Sequence, residues 1–411
     1  MLAHILSLAK KAKDASRLTA VLSEAEINAA LEAMAQSLIN NADETISNNA
    51  KDIEFAKSSG IPTAMLDRLL LNRERIDGMA NGIRKVIALP TPVGCGTVSR
   101  RPNGLVIERT RVPLGLVGVI YESRPNVTSD VAALCLKTGN ACLLRGGKEA
   151  INSNRAIVGV LRAAIDKAGV PADAISFVDD TSRETASDMM KLHGIIDVLI
   201  PRGGAALIKT VVENSTVPVI ETGAGNCHIY AHSDCDLDMA TNIIKNAKCS
   251  RPSVCNAVET LLVHKDIAEK LLPIVKAELD DVELRGCANT AEIIEVIPAT
   301  EVDYETEYND FILAIKIVDD LDEAAEHINR YSTNHSEGII TRDIAAARYF
   351  TNRIDSAAVY VNASIRFTDG EEFGFGAEIG ISTAKLHARG PMGLEALTCE
   401  KYIVLGDGQI R

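Results

Sequence analysis

Residues 114–148 read LGLVGVIYESRPNVTSDVAALCLKTGNACLLRGGK, and this stretch sets the pattern for most of the chain. Two runs rich in Val, Ile and Leu, at 115–121 and 141–144, are predicted strands, and a predicted helix separates them. Further apolar runs follow at 175–178, 198–200 and 217–220, with helical segments at 153–168 and 205–214. Alternating strands and helices indicate a parallel sheet covered on both faces. Ligands of such sheets bind at the carboxyl ends of the strands.

The second half of the chain repeats this alternation. Helical patterns separate strand-like runs at 257–264, 311–318, 338–341 and 357–361. Residues 1–89 carry only helical periodicity, and Ser23 with Glu26 forms a capping-box pattern before one of those helices. Asn103-Gly104 predicts a hairpin turn between two basic arms, which serve either as a solvated edge or as a subunit contact. We therefore expect an α/β architecture with two α/β units.

The composition excludes several classes of protein. A net charge of −13 at pH 7 argues against a nucleic-acid binder with a broad basic face. The apolar run near residue 1 is too short and too interrupted for a signal peptide or a membrane span. The nine cysteines contain no CxxC pair, and the spacing of Cys249 and Cys255 fits no metal site. We expect reduced thiols, no bound metal and a cytoplasmic protein.

One cysteine lies where an exposed nucleophile is expected. Residues 245–260 read KNAKCSRPSVCNAVET, so Cys255 occupies a Pro-containing loop between a predicted helix and a predicted strand. Lys245, Lys248 and Arg251 are close in sequence, and positive charge near a thiol favours the reactive thiolate. The alternative interpretation is a half-buried structural cysteine among scattered basic residues.

Polar, glycine-bearing loops follow four predicted strands of the first sheet. Their sequences are ESRPN, RGGKE, PRGGA and ETGAGN. Glycine allows the backbone to approach a ligand closely, and Arg or Lys adds charge for a phosphate. Because all four loops end strands of one sheet, they indicate a nucleotide or phosphate site. No GxGxxG follows a strand and no P-loop occurs, so the standard fingerprints for such ligands are missing.

Several longer blocks resemble one known family. They include LGLVGVIYESRPNVT, LKTGNACLLRGGKEA, ETGAGNCHIY, RPSVCNAVETLLVH and FGFGAEIGIS. These blocks are similar to the proline-pathway acyl-phosphate reductases of the aldehyde dehydrogenase superfamily, and the similarity covers nearly the whole chain. The resemblance adds an expected activity to the fold class that the strand pattern indicates.

The resemblance implies an aldehyde dehydrogenase-like α/β fold with two Rossmann-like parallel-sheet domains and a β oligomerisation arm. Residues 1–96 and 114–224 would form the cofactor-binding domain, and residues 225–362 the catalytic domain. Residues 97–113 and 363–411 would supply an oligomerisation hairpin and a C-terminal arm. A homo-oligomer is therefore expected.

The family reaction implied by the resemblance is the NADPH-dependent reduction of L-glutamyl 5-phosphate to L-glutamate 5-semialdehyde and phosphate. It proceeds through a cysteine thioester and is the second step of proline biosynthesis from glutamate. By the match to RPSVCN, Cys255 would be the nucleophile. The Asn126 side chain and the Cys255 backbone N–H would donate to the oxyanion. The labile acyl phosphate would come from a separate protein, glutamate 5-kinase, which is a candidate partner.

The resemblance also implies residues that bind the cofactor. Arg145 and Lys148 would contact the adenosine ribose, where a cation suits the 2′-phosphate of NADPH. Gly203 and Gly204 would line the cofactor site, and Glu307 would hold the nicotinamide ribose. The alternatives are a Lys148 that lies in solvent at a helix start and a Glu307 within a solvated acidic loop.

The substrate needs cations for its phosphate and its α-carboxylate, and the candidates are Arg124, Arg251 and Arg366. Glu221 stands where hydrolytic relatives keep a general base, and it is a secondary candidate. Two rival functions stay open. An acylating dehydrogenase that uses coenzyme A is separated by the phosphate dependence of the reverse reaction. A non-catalytic nucleotide-binding scaffold with an inert Cys255 is separated by thiol titration with and without NADPH.

Overall fold

The computed structural model describes residues 2–61 and 63–411, which divide into two compact units. The first unit holds the chain as far as Thr222 together with Gly374–Gly380 and Met392–Arg411. The second unit holds Gly223–Phe373 and Ile381–Pro391. The C-terminal segment is therefore divided between the two units.

Helices form the start of the first unit: α1 (Leu2–Thr19), α2 (Glu24–Asn40), α3 (Ala42–Ser58), α4 (Thr63–Leu69) and α5 (Arg73–Ala88). The predicted capping box at α2 is confirmed. The Glu26 N–H donates to the Ser23 hydroxyl at 3.3 Å, and the Ser23 N–H donates to the Glu26 carboxylate at 2.8 Å. The apolar residues that recur every three or four positions in α2 are buried, so this helix packs against the unit by its apolar face.

Two antiparallel strands follow, β1 (Gly96–Arg100) and β2 (Val106–Pro113). The turn between them contains Gly104 at φ +91°, a left-handed conformation that favours glycine. The predicted hairpin is therefore confirmed. Every residue of β1 is exposed, and the residues of β2 are mostly half-buried.

A four-stranded parallel sheet forms the centre of the first unit, in the order β5-β4-β3-β6. All six residues of β3 and all five of β4 are buried, as expected for strands covered on both faces. The elements in chain order are β3 (Leu116–Tyr121), α6 (Asn126–Lys137), β4 (Ala141–Arg145), α7 (Ile151–Lys167), β5 (Ile175–Phe177), α8 (Arg183–Met190), β6 (Val198–Arg202) and α9 (Ala205–Asn214).

The strand predicted at residues 217–220 is wrong. Only an isolated bridge between Leu199 and Val219 occurs there. Pro218 has no N–H to donate and therefore interrupts a hydrogen-bond ladder, which explains why an apolar run at this place does not extend the sheet.

The second unit contains a seven-stranded sheet in the order β10-β9-β11-β8-β7-β12-β13, and every pair within it is parallel. Its elements are β7 (Cys227–Ala231), α10 (Leu237–Cys249), β8 (Val258–His264), α11 (Lys265–Glu278), β9 (Glu283–Gly286), α12 (Ala288–Ala291), β10 (Ile297–Pro298), α13 (Glu301–Glu305), β11 (Ile312–Val318), α14 (Leu321–Tyr331), β12 (Ser336–Ile340), α15 (Ile344–Arg353) and β13 (Ala358–Val361). Two parallel sheets confirm the predicted α/β fold class.

Strand β8 is central in this sheet, and all seven of its residues are buried. The loop that carries Cys255 leads from α10 into β8, so the candidate nucleophile lies at the amino end of a central strand. This arrangement differs from the general expectation that functional groups follow the carboxyl ends of parallel strands.

The remaining strands are short or peripheral: β14 (Ile381–Ser382), β15 (Gly390–Pro391) and β16 (Thr398–Leu405). Strand β16 pairs antiparallel with β2, so β1, β2 and β16 make a three-stranded sheet in the first unit. This sheet joins the two segments for which an oligomerisation role is expected. Several of its apolar side chains are exposed, including Val98, Tyr402 and Val404.

Candidate active site

The nucleophile loop, residues 250–257, positions Cys255 in the second unit. Cys255 is half-buried and lies three residues before β8. The neighbouring Asn256 anchors the loop, since its side-chain amide donates to the backbone carbonyls of Arg366 at 3.1 Å and Thr368 at 3.0 Å. The loop is therefore tied to the turn that follows β13.

A close backbone approach fixes the other side of Cys255. A Cβ atom at Gly225 would lie 1.5 Å from the Cys255 carbonyl oxygen, so only glycine fits at this position. The buried Cys227 thiol also contacts that carbonyl oxygen, at 3.1 Å. The backbone of the candidate nucleophile is therefore held by packing and by hydrogen bonding together.

Two of the three cations that were expected to activate Cys255 are already engaged elsewhere. Lys245 donates to Glu278 at 2.8 Å in an exposed ion pair. Lys248 donates to Glu259 at 2.6 Å, and both side chains are fully buried. Neither lysine therefore supplies an unpaired charge to the thiol, contrary to the expectation from sequence proximity.

Arg366 is the cation that the fold brings to the nucleophile loop. Its Nε donates to the Ser250 hydroxyl at 3.1 Å, and the side chain is half-buried. Burial lowers the pKa of Arg366, Cys255 acts to raise it, and the exposed Arg251 acts to lower it. Arg251 and Arg366 are thus within electrostatic range of each other, and Arg366 also of Cys255. Arg366, already a candidate cation for the substrate, lies more than a hundred residues from the loop in sequence, so its contact with Ser250 is visible only in the fold.

Glu307 also lies close to the backbone of Cys255. Its carboxylate accepts the Gly225 N–H at 2.8 Å, and its side chain is half-buried. Because Gly225 also packs against the Cys255 carbonyl, Glu307 lies one residue away from the nucleophile backbone. The alternative of a solvated acidic loop does not describe Glu307.

In the first unit, Asn126 is the first residue of α6, and its side chain has a definite partner. The Asn126 amide donates to the Asp130 carboxylate at 2.9 Å, one helical turn further along. Burial raises the pKa of Asp130 to about 6, while the hydrogen bond from Asn126 and the charge of Arg202 act to lower it. Sequence analysis missed Asp130, although its spacing of four residues from Asn126 on a helix is a usable signal.

The two cations after β4 have different environments. Arg145 is only 9% exposed and donates to the backbone carbonyls of Thr181 at 2.6 Å and Ser182 at 3.1 Å. Burial lowers the pKa of Arg145. Lys148 is exposed at the start of a short 3₁₀ turn. Lys148 can therefore meet a ligand directly, whereas Arg145 holds the loop after β5.

Two carboxylates, Glu122 and Glu149, hold the loops at this edge of the sheet. The Gly204 N–H donates to Glu122 at 3.1 Å, and a Cβ atom at Gly203 would lie 2.4 Å from the same carboxylate oxygen. The Ser123 N–H donates to Glu149 at 2.7 Å. The loops expected to bind a ligand are thus braced from within the first unit.

Two further candidates belong to the same unit. Arg124 is half-buried two residues before Asn126, and Glu221 is half-buried just before Thr222, where the first segment of the unit ends. Within residues 2–61 and 63–411, no cluster of three or more His, Cys, Asp or Glu side chains is arranged to hold a metal ion. Across that same described part of the chain, the helices are all too short or too polar to cross a bilayer.

Comparison with known proteins agrees with this architecture. The profile of the aldehyde dehydrogenase family matches residues 3–292. A gamma-glutamyl phosphate reductase from Carboxydothermus hydrogenoformans is 59% identical over 99% of both chains. One from Heliobacterium modesticaldum is also 59% identical, over 98% of this chain and 97% of its own.

Solved structures give the same result. The gamma-glutamyl phosphate reductase of Thermotoga maritima superposes with a TM-score of 0.96 at 48% identity, covering 99% of both chains. An acetylating aldehyde dehydrogenase from Geobacillus thermoglucosidasius shares the fold, with a TM-score of 0.74 at 19% identity over 100% of this chain and 98% of its own. The resemblance seen in the sequence is confirmed. The chain belongs to the aldehyde dehydrogenase family of oxidoreductases and, within it, to the gamma-glutamyl phosphate reductase family.

Proposed function

We propose that the protein reduces L-glutamyl 5-phosphate to L-glutamate 5-semialdehyde and phosphate with NADPH, as a step of proline biosynthesis from glutamate. The two gamma-glutamyl phosphate reductases that are 59% identical over nearly the full chain support this substrate class. The observation that carries the proposal is the group formed by Cys255, Arg366 and Glu307 around one rigid loop.

Cys255 is the proposed nucleophile. Its thiolate attacks the acyl carbon, the bond from that carbon to the phosphate oxygen breaks, and phosphate leaves. The product is a thioester on Cys255, which becomes a thiohemiacetal after reduction and then releases the semialdehyde and the thiolate. Arg366 and Arg251 favour the thiolate and supply positive charge where phosphate departs. We assign Arg124 to the α-carboxylate, which lies several bonds from the reacting carbon.

The tetrahedral intermediates carry an oxyanion that needs hydrogen-bond donors. By the family pattern, these donors are the Asn126 side chain and the Cys255 backbone N–H. A side-chain amide has two N–H groups, so Asn126 keeps one for the oxyanion while the other donates to Asp130. Asp130 therefore also fixes which way the amide faces. Glu221 has no proposed role as a base, because the reaction requires water to be kept from the thioester.

NADPH supplies the hydride when bound, and a cation, glycine-bearing loops and a carboxylate of this chain suit it. The exposed Lys148 is the proposed partner of the 2′-phosphate. Arg145, Gly203 and Gly204 shape the loops beside it. Glu307 uses one carboxylate oxygen for the Gly225 N–H, and we assign the other oxygen to the nicotinamide ribose.

Glutamate 5-kinase is the proposed source of the acyl phosphate, and the cytoplasm is the proposed compartment.

The sheet of β1, β2 and β16 exposes apolar side chains, including Val98 at 67% and Tyr402 at 61%. We propose this sheet as the contact of a homo-oligomer.

The function is tested in the reverse direction. Wild-type protein should reduce NADP⁺ with pyrroline-5-carboxylate only when inorganic phosphate is present. Cys255→Ser should lose this activity and keep its fold, because a serine hydroxyl is not ionised at neutral pH. Cys249→Ser, on the same segment, is the matched control and should stay active. Strong activity in Cys255→Ser, or a requirement for coenzyme A in place of phosphate, would contradict the proposal.

Cofactor choice is tested at Lys148. Hydrogen bonds to charged groups contribute roughly 1.5–3 kcal/mol. Lys148→Glu removes a cation and adds a repelling charge, so the KM for NADPH should rise about ten-fold or more, given ~1.4 kcal/mol per factor of ten. The KM for NADH should change far less. Equal changes for both cofactors, measured side by side, would show that Lys148 does not read the 2′-phosphate.

The oxyanion role is tested with Asn126 and Asp130 together. Asn126→Ala should lower kcat about 10²–10³-fold with little change in cofactor affinity. The pKa of Asp130 is raised to about 6, so the carboxylate is ionised at pH 7 and gains a proton as the pH falls through that value. The wild-type kcat should then decline below pH 6, because the charged acceptor that orients Asn126 is lost.

Asp130→Asn is the matched variant, because it cannot titrate. Its kcat should be lower than that of the wild type at pH 7 and should lack the decline near pH 6. If kcat of Asp130→Asn declines below pH 6 as it does in the wild type, or if kcat of Asn126→Ala is normal, the pair has no role at the oxyanion site.

A further inference from the structure

We propose that the buried ion pair of Lys248 and Glu259 is a positioning device, which holds the nucleophile loop and the Glu307 loop in one arrangement. Neither residue contacts substrate in this proposal. Both act through the backbone that carries Cys255 and Glu307. The inference rests on the role proposed above for Cys255, but it concerns how that residue is held rather than what it reacts with.

The ion pair closes the nucleophile loop at its base. Lys248 lies in the last turn of α10, and Glu259 is the second residue of β8. Their charged groups are 2.6 Å apart, and the side chains of both are 0% exposed. The two ends of the segment that contains Cys255 are therefore joined by a contact that water does not reach.

The second carboxylate oxygen of Glu259 reaches a different loop. It accepts the backbone N–H of Asn309 at 3.2 Å. Asn309 has φ +56°, a left-handed conformation that is uncommon outside glycine, and it follows Glu307 by two residues. Glu259 thus fixes a turn directly beside the proposed ribose-binding residue.

These contacts and those of Gly225 form a closed chain of interactions that begins and ends at the nucleophile loop. Glu307 accepts the Gly225 N–H at 2.8 Å, and Gly225 leaves no room for a side chain against the Cys255 carbonyl. The path from Lys248 through Glu259, the Glu307 loop and Gly225 therefore returns to the nucleophile loop. A displacement of Glu259 is transmitted to Cys255 from both sides.

Stability alone does not explain a buried ion pair. Two charges lose their hydration on burial, and a packed apolar pair is often as stable. Burial raises the pKa of Glu259 and lowers the pKa of Lys248, so the surroundings disfavour both charges. What an apolar pair cannot supply is the acceptor for the Asn309 N–H, and this geometric function accounts for the carboxylate.

The test compares two double variants. Lys248→Met with Glu259→Leu removes both charges and the acceptor for Asn309. Lys248→Met with Glu259→Gln removes both charges but keeps a side-chain oxygen that accepts the same N–H. Lys245→Met with Glu278→Gln is the matched control, because it removes an exposed ion pair that links the same helix, α10, to α11. Thermal unfolding of each variant establishes that it is folded.

The readouts are the rate of Cys255 alkylation by iodoacetamide, followed by peptide mapping, and the kcat with the KM for NADPH. With the leucine variant, alkylation should slow, because the thiolate loses its fixed place beside Arg366. Its kcat should fall about 10²-fold, the loss that a displacement of ~1 Å can cause. The glutamine variant should recover much of both losses, and the control should match the wild type. The exposed Cys95 is the internal reference for alkylation.

Two results would overturn the proposal. One is an alkylation rate and a kcat in the leucine variant that equal those of the wild type. The other is a loss of alkylation rate and kcat that is equally large in the leucine and glutamine variants. If the leucine variant does not fold, Glu259→Asp takes its place, since it keeps the charge and withdraws it by one methylene. Unchanged alkylation of Cys255 in Glu259→Asp would then contradict positioning. Alkylation does not depend on the substrate, so this test stays valid even if the wild type fails to reduce NADP⁺ with pyrroline-5-carboxylate.

Discussion

The contact between Gly225 and the Cys255 carbonyl is the constraint on which the arrangement of candidate residues in the second unit depends. A single added carbon would lie 1.5 Å from that oxygen, so the chain can take this course only with glycine. The same glycine donates its N–H to Glu307 at 2.8 Å. One residue without a side chain therefore sets the distance between a proposed nucleophile and a proposed cofactor-binding carboxylate. Chemistry that needs alignment within a fraction of an ångström benefits from such a fixed reference.

Carboxylates that accept backbone or side-chain N–H groups are a feature that the two units have in common. Asp130 accepts from the Asn126 amide, Glu122 from Gly204, Glu149 from Ser123 and Glu259 from Asn309. Three of these interactions fix a loop, and that of Asp130 fixes a side chain within α6. A charged acceptor forms stronger hydrogen bonds than a neutral one, so few contacts suffice. The proposed role of these carboxylates is to hold neighbouring groups in place, not to take part in the reaction.

The fold was largely predictable from sequence because buried parallel strands are continuous apolar runs, a local property. The apolar run at 217–220 does not form the predicted strand, and the reason is equally local, since the run contains a proline. Residue roles were less predictable. Its position in sequence predicts that Lys248 favours the Cys255 thiolate, yet it pairs with Glu259, eleven residues away. Arg145 binds carbonyls of residues 181 and 182, which only the fold brings close. Such partners depend on tertiary packing, and no spacing rule reveals them.

The central claim is that Cys255 carries the acyl group during turnover. The most direct measurement is mass spectrometry of the peptide that contains Cys255, after freshly prepared L-glutamyl 5-phosphate is mixed with the protein without reductant. The proposed chemistry predicts one glutamyl group on that peptide, its loss when NADPH is added, and no adduct in Cys255→Ser. A peptide without the glutamyl group, or an equal adduct on another cysteine, would contradict the claim.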